Sequence, residues 1–133
     1  MNNKIIIAAI IVAALILIYK FFLSGPSSTT ADVEPDKFAE LTKEKDVVIL
    51  DVRSAFEFGG DKIAGAQNIS YTSSGFKPYI EKLDKSKTYL VYCASGSRSV
   101  GAVNNMQKMG IEKVYNLKGG IAHWKSEKKP VVR

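Results

Sequence analysis

The fold is decided by Thr88-Tyr89-Leu90-Val91-Tyr92-Cys93-Ala94-Ser95-Gly96-Ser97-Arg98-Ser99. A run of β-branched, aromatic and aliphatic residues opens it, the pattern of a strand buried on both faces. Small residues and a glycine follow, and then Val100, Val103, Met106 and Met109 suggest a helical apolar stripe that Gly110 ends. A strand feeding a small-residue loop and a helix is the place where open α/β sheets bind ligands.

Working outward, Pro35 with Phe38 and Leu41 predicts a short helix over residues 35–44. Val47 to Leu50 reads as a second fully buried strand. Ala55 to Phe58 suggests a short helix, Ala66 to Ile69 a brief strand, and Phe76 to Leu83 a further helix. Val114 to Leu117 reads as a strand, and Gly119-Gly120 leads to a last helix through Trp124. Strands alternating with helices predict an α/β domain with a mainly parallel sheet.

Composition sets limits. The chain has 133 residues, room for one compact domain. Its net charge of +6 is spread as isolated lysines, which reads as a solvated surface and not a nucleic-acid interface. One cysteine excludes an internal disulfide, and with one histidine it excludes a multi-thiolate or multi-histidine metal site.

Ile5 to Tyr19 is an unbroken apolar run that resumes after Lys20 through Leu23. At ~1.5 Å per helical residue it spans about 28 Å, close to the ~30 Å of a bilayer core. It predicts a transmembrane anchor over residues 1–23; a cleaved signal peptide, with a weak site at Thr29-Thr30-Ala31, is the alternative. Residues 24–32 read as a flexible linker, 33–126 as the domain and 127–133 as a basic tail. The flanking charges barely orient the helix; a short amino-terminal tail favours an exported, periplasmic-side domain over a cytoplasmic one.

Chemistry concentrates in the loop. Gly96 and its small neighbours let successive backbone N–H groups turn inward as an anion-binding nest, to which the next helix adds its positive end. Such a cradle lowers a thiol pKa, so Cys93 is the candidate nucleophile and Arg98 a supporting charge. It stabilises an attacking thiolate, a persulfide or a bound oxyanion. Asp51 and Arg53, just past a strand, read as a structural cap and buried ion pair, and Glu57 as structural. His123 is expected to pack near the last helix, not to act as a base, and Tyr89 and Tyr92 to fill the core.

Four stretches in order now carry a resemblance. Asp51-Val52-Arg53 with Glu57-Phe58, Ile63 through Ile69, Cys93 through Ser99, and Gly119-Gly120 with Trp124 are similar to the signatures of the rhodanese family. The match runs from about Val33 to Trp124. Many members have histidine where this chain has Lys62, a change expected to touch a local hydrogen bond or partner surface but not the nucleophile.

The resemblance implies a rhodanese-like three-layer fold and a sulfurtransferase without cofactor or metal. Cys93 would take a sulfane sulfur from a small anionic donor such as thiosulfate and pass it, as a persulfide, to a thiol or cyanide acceptor. A protein persulfide is another fitting partner. Arg98 and the loop of Ala94, Ser95, Gly96, Ser97 and Ser99 would hold donor and persulfide. Four residues separate Cys93 from Arg98, whereas phosphatases of the same fold use a longer loop. A membrane-tethered binding module with little turnover stands as the alternative, and an oxyanion phosphatase or arsenate reductase stands behind it.

Overall fold

A computed structural model describes residues 2–23 and 31–133. The elements are α1 (Asn3–Leu23), β1 (Ala31–Val33), α2 (Pro35–Leu41), β2 (Val47–Asp51), α3 (Ala55–Phe58), β3 (Gln67–Asn68), α4 (Phe76–Glu81), β4 (Thr88–Tyr92), α5 (Ser97–Lys108), β5 (Val114–Leu117) and α6 (Gly120–Ser126). The strands form one five-stranded sheet, ordered β1-β5-β4-β2-β3 and parallel at every pairing.

Side chains alternate across a strand, so β4 serves two cores at once. Tyr89, Val91 and Cys93 face one layer with Phe76, Ile80, Ala102, Val103 and Met106 from α4 and α5. Leu90 and Tyr92 face the other, with Phe38, Leu41, Ile121 and Trp124 from α2 and α6. Edge-on ring contacts of Phe38 with Tyr92 and Trp124 tie that second layer together. The three-layer α/β architecture expected from the sequence is the one observed.

Several boundaries differ, for physical reasons. The stripe on α5 is buried at Ser99, Ala102, Val103 and Met106, while Val100 is 37% exposed. Every third residue drifts back by about 60° around a helix of 3.6 residues per turn, so Val100 and Met109 end on opposite sides. α2 and α4 close at Leu41 and Glu81, two or three residues early, where their backbones tighten into short turns. The linker assignment over residues 24–32 is corrected at its end: Asp32 lies within β1, and Val33 pairs with Leu117 of β5. Ala31 belongs to β1 as well, and residues 24–30 of that linker, with Thr29 and Thr30 of the weak cleavage site, lie outside the described residues.

The carboxyl-terminal segment 127–133 is basic as expected, yet it is docked and not a free tail. Lys62 and Val132 exchange backbone hydrogen bonds of 2.9 and 2.8 Å. Trp124 donates its indole N–H to Pro130 O at 2.8 Å, and Arg133 reaches Asp61 at 2.8 Å. No local sequence pattern announces so distant a pairing.

α1 is 21 residues long, apolar on every side and buried nowhere, long enough to cross a membrane. Since it contributes nothing to either core, a chain lacking residues 1–30 is expected to remain folded and become soluble. Its thermal midpoint in buffer should lie within about 5 °C of the full chain in detergent, a shift of roughly 1 kcal/mol. Loss of the cooperative transition would show instead that the helix supports the domain.

Candidate active site

β4 ends at Tyr92, and Cys93 follows it into the loop with no exposed surface. Gly96 has φ of 107°, a left-handed backbone that lets the chain turn back on Cys93. The Gly96 N–H then donates to Cys93 Sγ at 3.0 Å. Ser99, in the first turn of α5, places its Oγ 3.3 Å from Sγ and donates to Gly96 O at 3.0 Å. The loop is a thiol cradle seated on the N-terminus of a twelve-residue helix.

Gly120 closes the cradle from below. A Cβ there would stand 2.5 Å from Cys93 O, Ala94 O and Ala94 C. The bare backbone allows Ile121 N–H to reach Cys93 O at 2.9 Å and Ala122 N–H to reach Ala94 O at 3.1 Å. The second glycine of the pair is therefore demanded by close approach of α6 to the active loop.

Two opposing effects act on the thiol. Burial favours the neutral form, but the Ser99 hydroxyl, turned from Gly96 O to the thiolate, and the backbone N–H groups of Ser99, Gly96 and Ser95 outweigh it, and the pKa falls below the ordinary thiol value. The thiolate is then populated at lower pH than in a free thiol. A titration following thiolate ultraviolet absorbance, with Cys93→Ser subtracted, is expected to give a midpoint below that of free cysteine. A midpoint above it would mean that burial dominates.

The structure separates the two charges expected to behave differently. Arg98 forms a fork with Glu57, its two terminal nitrogens donating at 2.8 and 2.9 Å to the two carboxylate oxygens. The resemblance implies that Arg98 holds a donor; in the resting site its fork holds Glu57. Glu57, which the sequence casts only as a brace for the fold, stands beside the Cys93 loop. Ser54 caps α3 and also donates to Glu57 Oε1 at 3.1 Å. With the Arg98 hydrogen bonds as the main cause and Ser54 helping, the Glu57 carboxyl is held down to about 2.

Asp51 and Arg53 meet the structural expectation. The guanidinium bridges both Asp51 carboxylate oxygens, at 2.7 Å for Nη2, and Asp51 also accepts the Arg53 backbone N–H at 2.9 Å. The pair pins the strand end below the Glu57 helix. Tyr92, buried, accepts the Ile63 N–H at 3.1 Å, and burial pushes its hydroxyl above the ordinary phenol range. His123 sits at the surface, its Nδ1 2.8 Å from Lys118 O, near Glu34 and Glu127. Lys62 places its ammonium 4.3 Å from the Phe58 ring centre. Of the residues named from sequence, the structure thus gathers Cys93, Gly96, Ser99, Arg98 and Glu57, and sets His123 apart.

Known proteins resemble this chain across the folded domain. The rhodanese-like domain family matches residues 34–127. A thiosulfate sulfurtransferase GlpE of Coxiella burnetii is 38% identical over 87 residues, covering 65% of this chain and 79% of that protein. A tRNA uridine(34) hydroxylase of Pelagibacter ubique is 32% identical over 103 residues, but this chain spans only 34% of it. The crystal structure of a rhodanese-related protein from Thermoplasma volcanium superposes with a TM-score of 0.68 at 32% identity, covering 77% of this chain and 97% of that one. With a thiol cradle at the end of a central parallel strand and a family match across the whole domain, the chain belongs to the rhodanese-like domain family.

Proposed function

We propose that this domain is a sulfurtransferase that carries sulfane sulfur on Cys93. The observation that carries the reading is the cradle itself: the Gly96 N–H at 3.0 Å and the Ser99 hydroxyl at 3.3 Å from Sγ, at the head of α5. Groups that hold a thiolate also hold the outer sulfur of a persulfide, which carries the same single charge.

The reaction runs in two steps. The Cys93 thiolate attacks the outer sulfur of the donor; the donor's S–S bond breaks and its electron pair leaves with the remaining fragment, sulfite when the donor is thiosulfate. An acceptor thiolate or cyanide then attacks the outer sulfur of the Cys93 persulfide, and the thiolate returns. Because Cys93 is fully covered at rest, the loop or its neighbours must yield for the donor to reach Sγ. The backbone of Ala94 to Ser97 and Ser99 holds the transferred sulfur, and Arg98 fixes the loop's far end. The anchor keeps this chemistry at a membrane surface, with the domain on the exported side and small thiols or a protein persulfide as partners.

The full chain in detergent tests the reading. After thiosulfate or an alkyl persulfide, the intact mass should rise by one sulfur atom, and cyanide should remove it. No gain with any sulfane donor would leave the domain as a binding module.

A further inference from the structure

Within the loop from Cys93 to Ser99 only one side chain besides Cys93 can carry charge, Arg98, and Glu57 occupies it. The pair is about two-thirds buried, 30% and 33% exposed, so the attraction is screened less than at an open surface. The neighbouring cation, Arg53, is committed to Asp51 in the same way. The charged groups acting on Arg98 are Glu57, the Cys93 thiolate and Asp51, all negative. Among these side chains the pairs Arg98–Glu57 and Arg53–Asp51 each cancel, so their charge beside Cys93 sums to zero and turns negative once the thiol ionises. Nearby in sequence, Phe56, which precedes Glu57, is 93% exposed, and Val100, two residues past Arg98, is 37% exposed.

A thiosulfate ion brings two negative charges to this site and needs a cation to meet them. A persulfide of an organic thiol brings at most one at the reacting sulfur, with an organic body behind it. Resting on the sulfur-transfer reading above, we propose that Glu57 is a specificity-determining residue. It neutralises Arg98 and opposes dianions, so the site takes sulfur from persulfides of organic thiols in preference to thiosulfate. In the preferred step the Cys93 thiolate attacks the outer sulfur of R–S–SH; R–S⁻ leaves and takes the proton, so the new Cys93 persulfide keeps the single charge. With thiosulfate the same attack must bring three negative charges together before sulfite leaves.

The test compares rates of sulfur loading, read as intact mass against time, for the full chain in detergent with thiosulfate and with 2-hydroxyethyl persulfide. Glu57→Gln keeps the shape and frees the Arg98 charge. It should speed thiosulfate loading about tenfold, equivalent to about 1.4 kcal/mol, and change persulfide loading less than about twofold. Glu57→Asp keeps the negative charge and should leave thiosulfate slow. Unchanged or slower thiosulfate loading in Glu57→Gln, with persulfide loading intact, would overturn the proposal. An equal gain for both donors would overturn it too, since that marks a mechanical latch and not charge selection. Absence of loading from either donor in all three proteins would instead remove sulfur transfer itself.

Discussion

Cys93→Ser is expected to take up no sulfur from any donor and still to fold. The serine hydroxyl is a far weaker nucleophile near neutral pH and forms no stable bond to a sulfane sulfur, so loading should fall to background, a loss on the order of 10³-fold or more. Stability should change by less than about 1 kcal/mol, because the substitution is nearly isosteric and the cradle remains. The Gly96 N–H that donates to Sγ finds an oxygen there instead, and the Ser99 hydroxyl keeps Gly96 O as its acceptor. Intact mass after donor treatment and a thermal melt check both halves. Sulfur retained by the serine variant would place the carrier elsewhere, and a collapsed melt would make Cys93 a structural residue first.

Arg53→Leu should cause the largest loss of stability. Asp51 has no exposed surface, and Arg53 supplies three side-chain hydrogen bonds to its carboxylate besides one to Asp61 O. Removing one partner of a buried pair strands the other charge, at a cost of about 3–5 kcal/mol. In a domain of this size that lowers the thermal midpoint by more than about 12 °C. Asp51→Asn combined with Arg53→Leu removes the stranded charge and should recover at least half of the loss, although each single change is harmful. Chemical denaturation of the four proteins measures the cycle. A single-variant cost under about 1 kcal/mol would mean that water reaches Asp51 and the pair only decorates the strand end.

The central strands, the Cys93 loop and the Gly119-Gly120 turn are legible in the sequence because each carries a local pattern. Tyr89 to Tyr92 run without a charged or small residue, and the loop's small residues stand directly after Cys93. The Asp51–Arg53 pair is legible for a related reason, since two opposite charges flank a strand end. The place of Glu57 beside the chemistry is not, because its partner lies 41 residues away and spacing along the chain does not report that. The same holds for the clasp of Val132 on Lys62 and for β1, whose three residues acquire strand geometry only by pairing with β5. Val100 misleads for a different reason: a stripe counted in threes loses the helix face that a stripe alternating threes and fours keeps.

The placement of β1 has a kinetic consequence. Asn116 of β5 donates to Asp32 of β1 across 84 residues at 2.8 Å, and the edge of the sheet is completed only by that pairing. A ribosome releases the first strand long before the last exists. Ala31 to Val33 must wait, unpaired, for nearly the whole domain to be synthesised. Pairing over such separations is slow relative to local helix formation, so the nascent protein is exposed to holdases and proteases until its final third emerges. Refolding from denaturant should accordingly show the β1–β5 edge gaining hydrogen-exchange protection last.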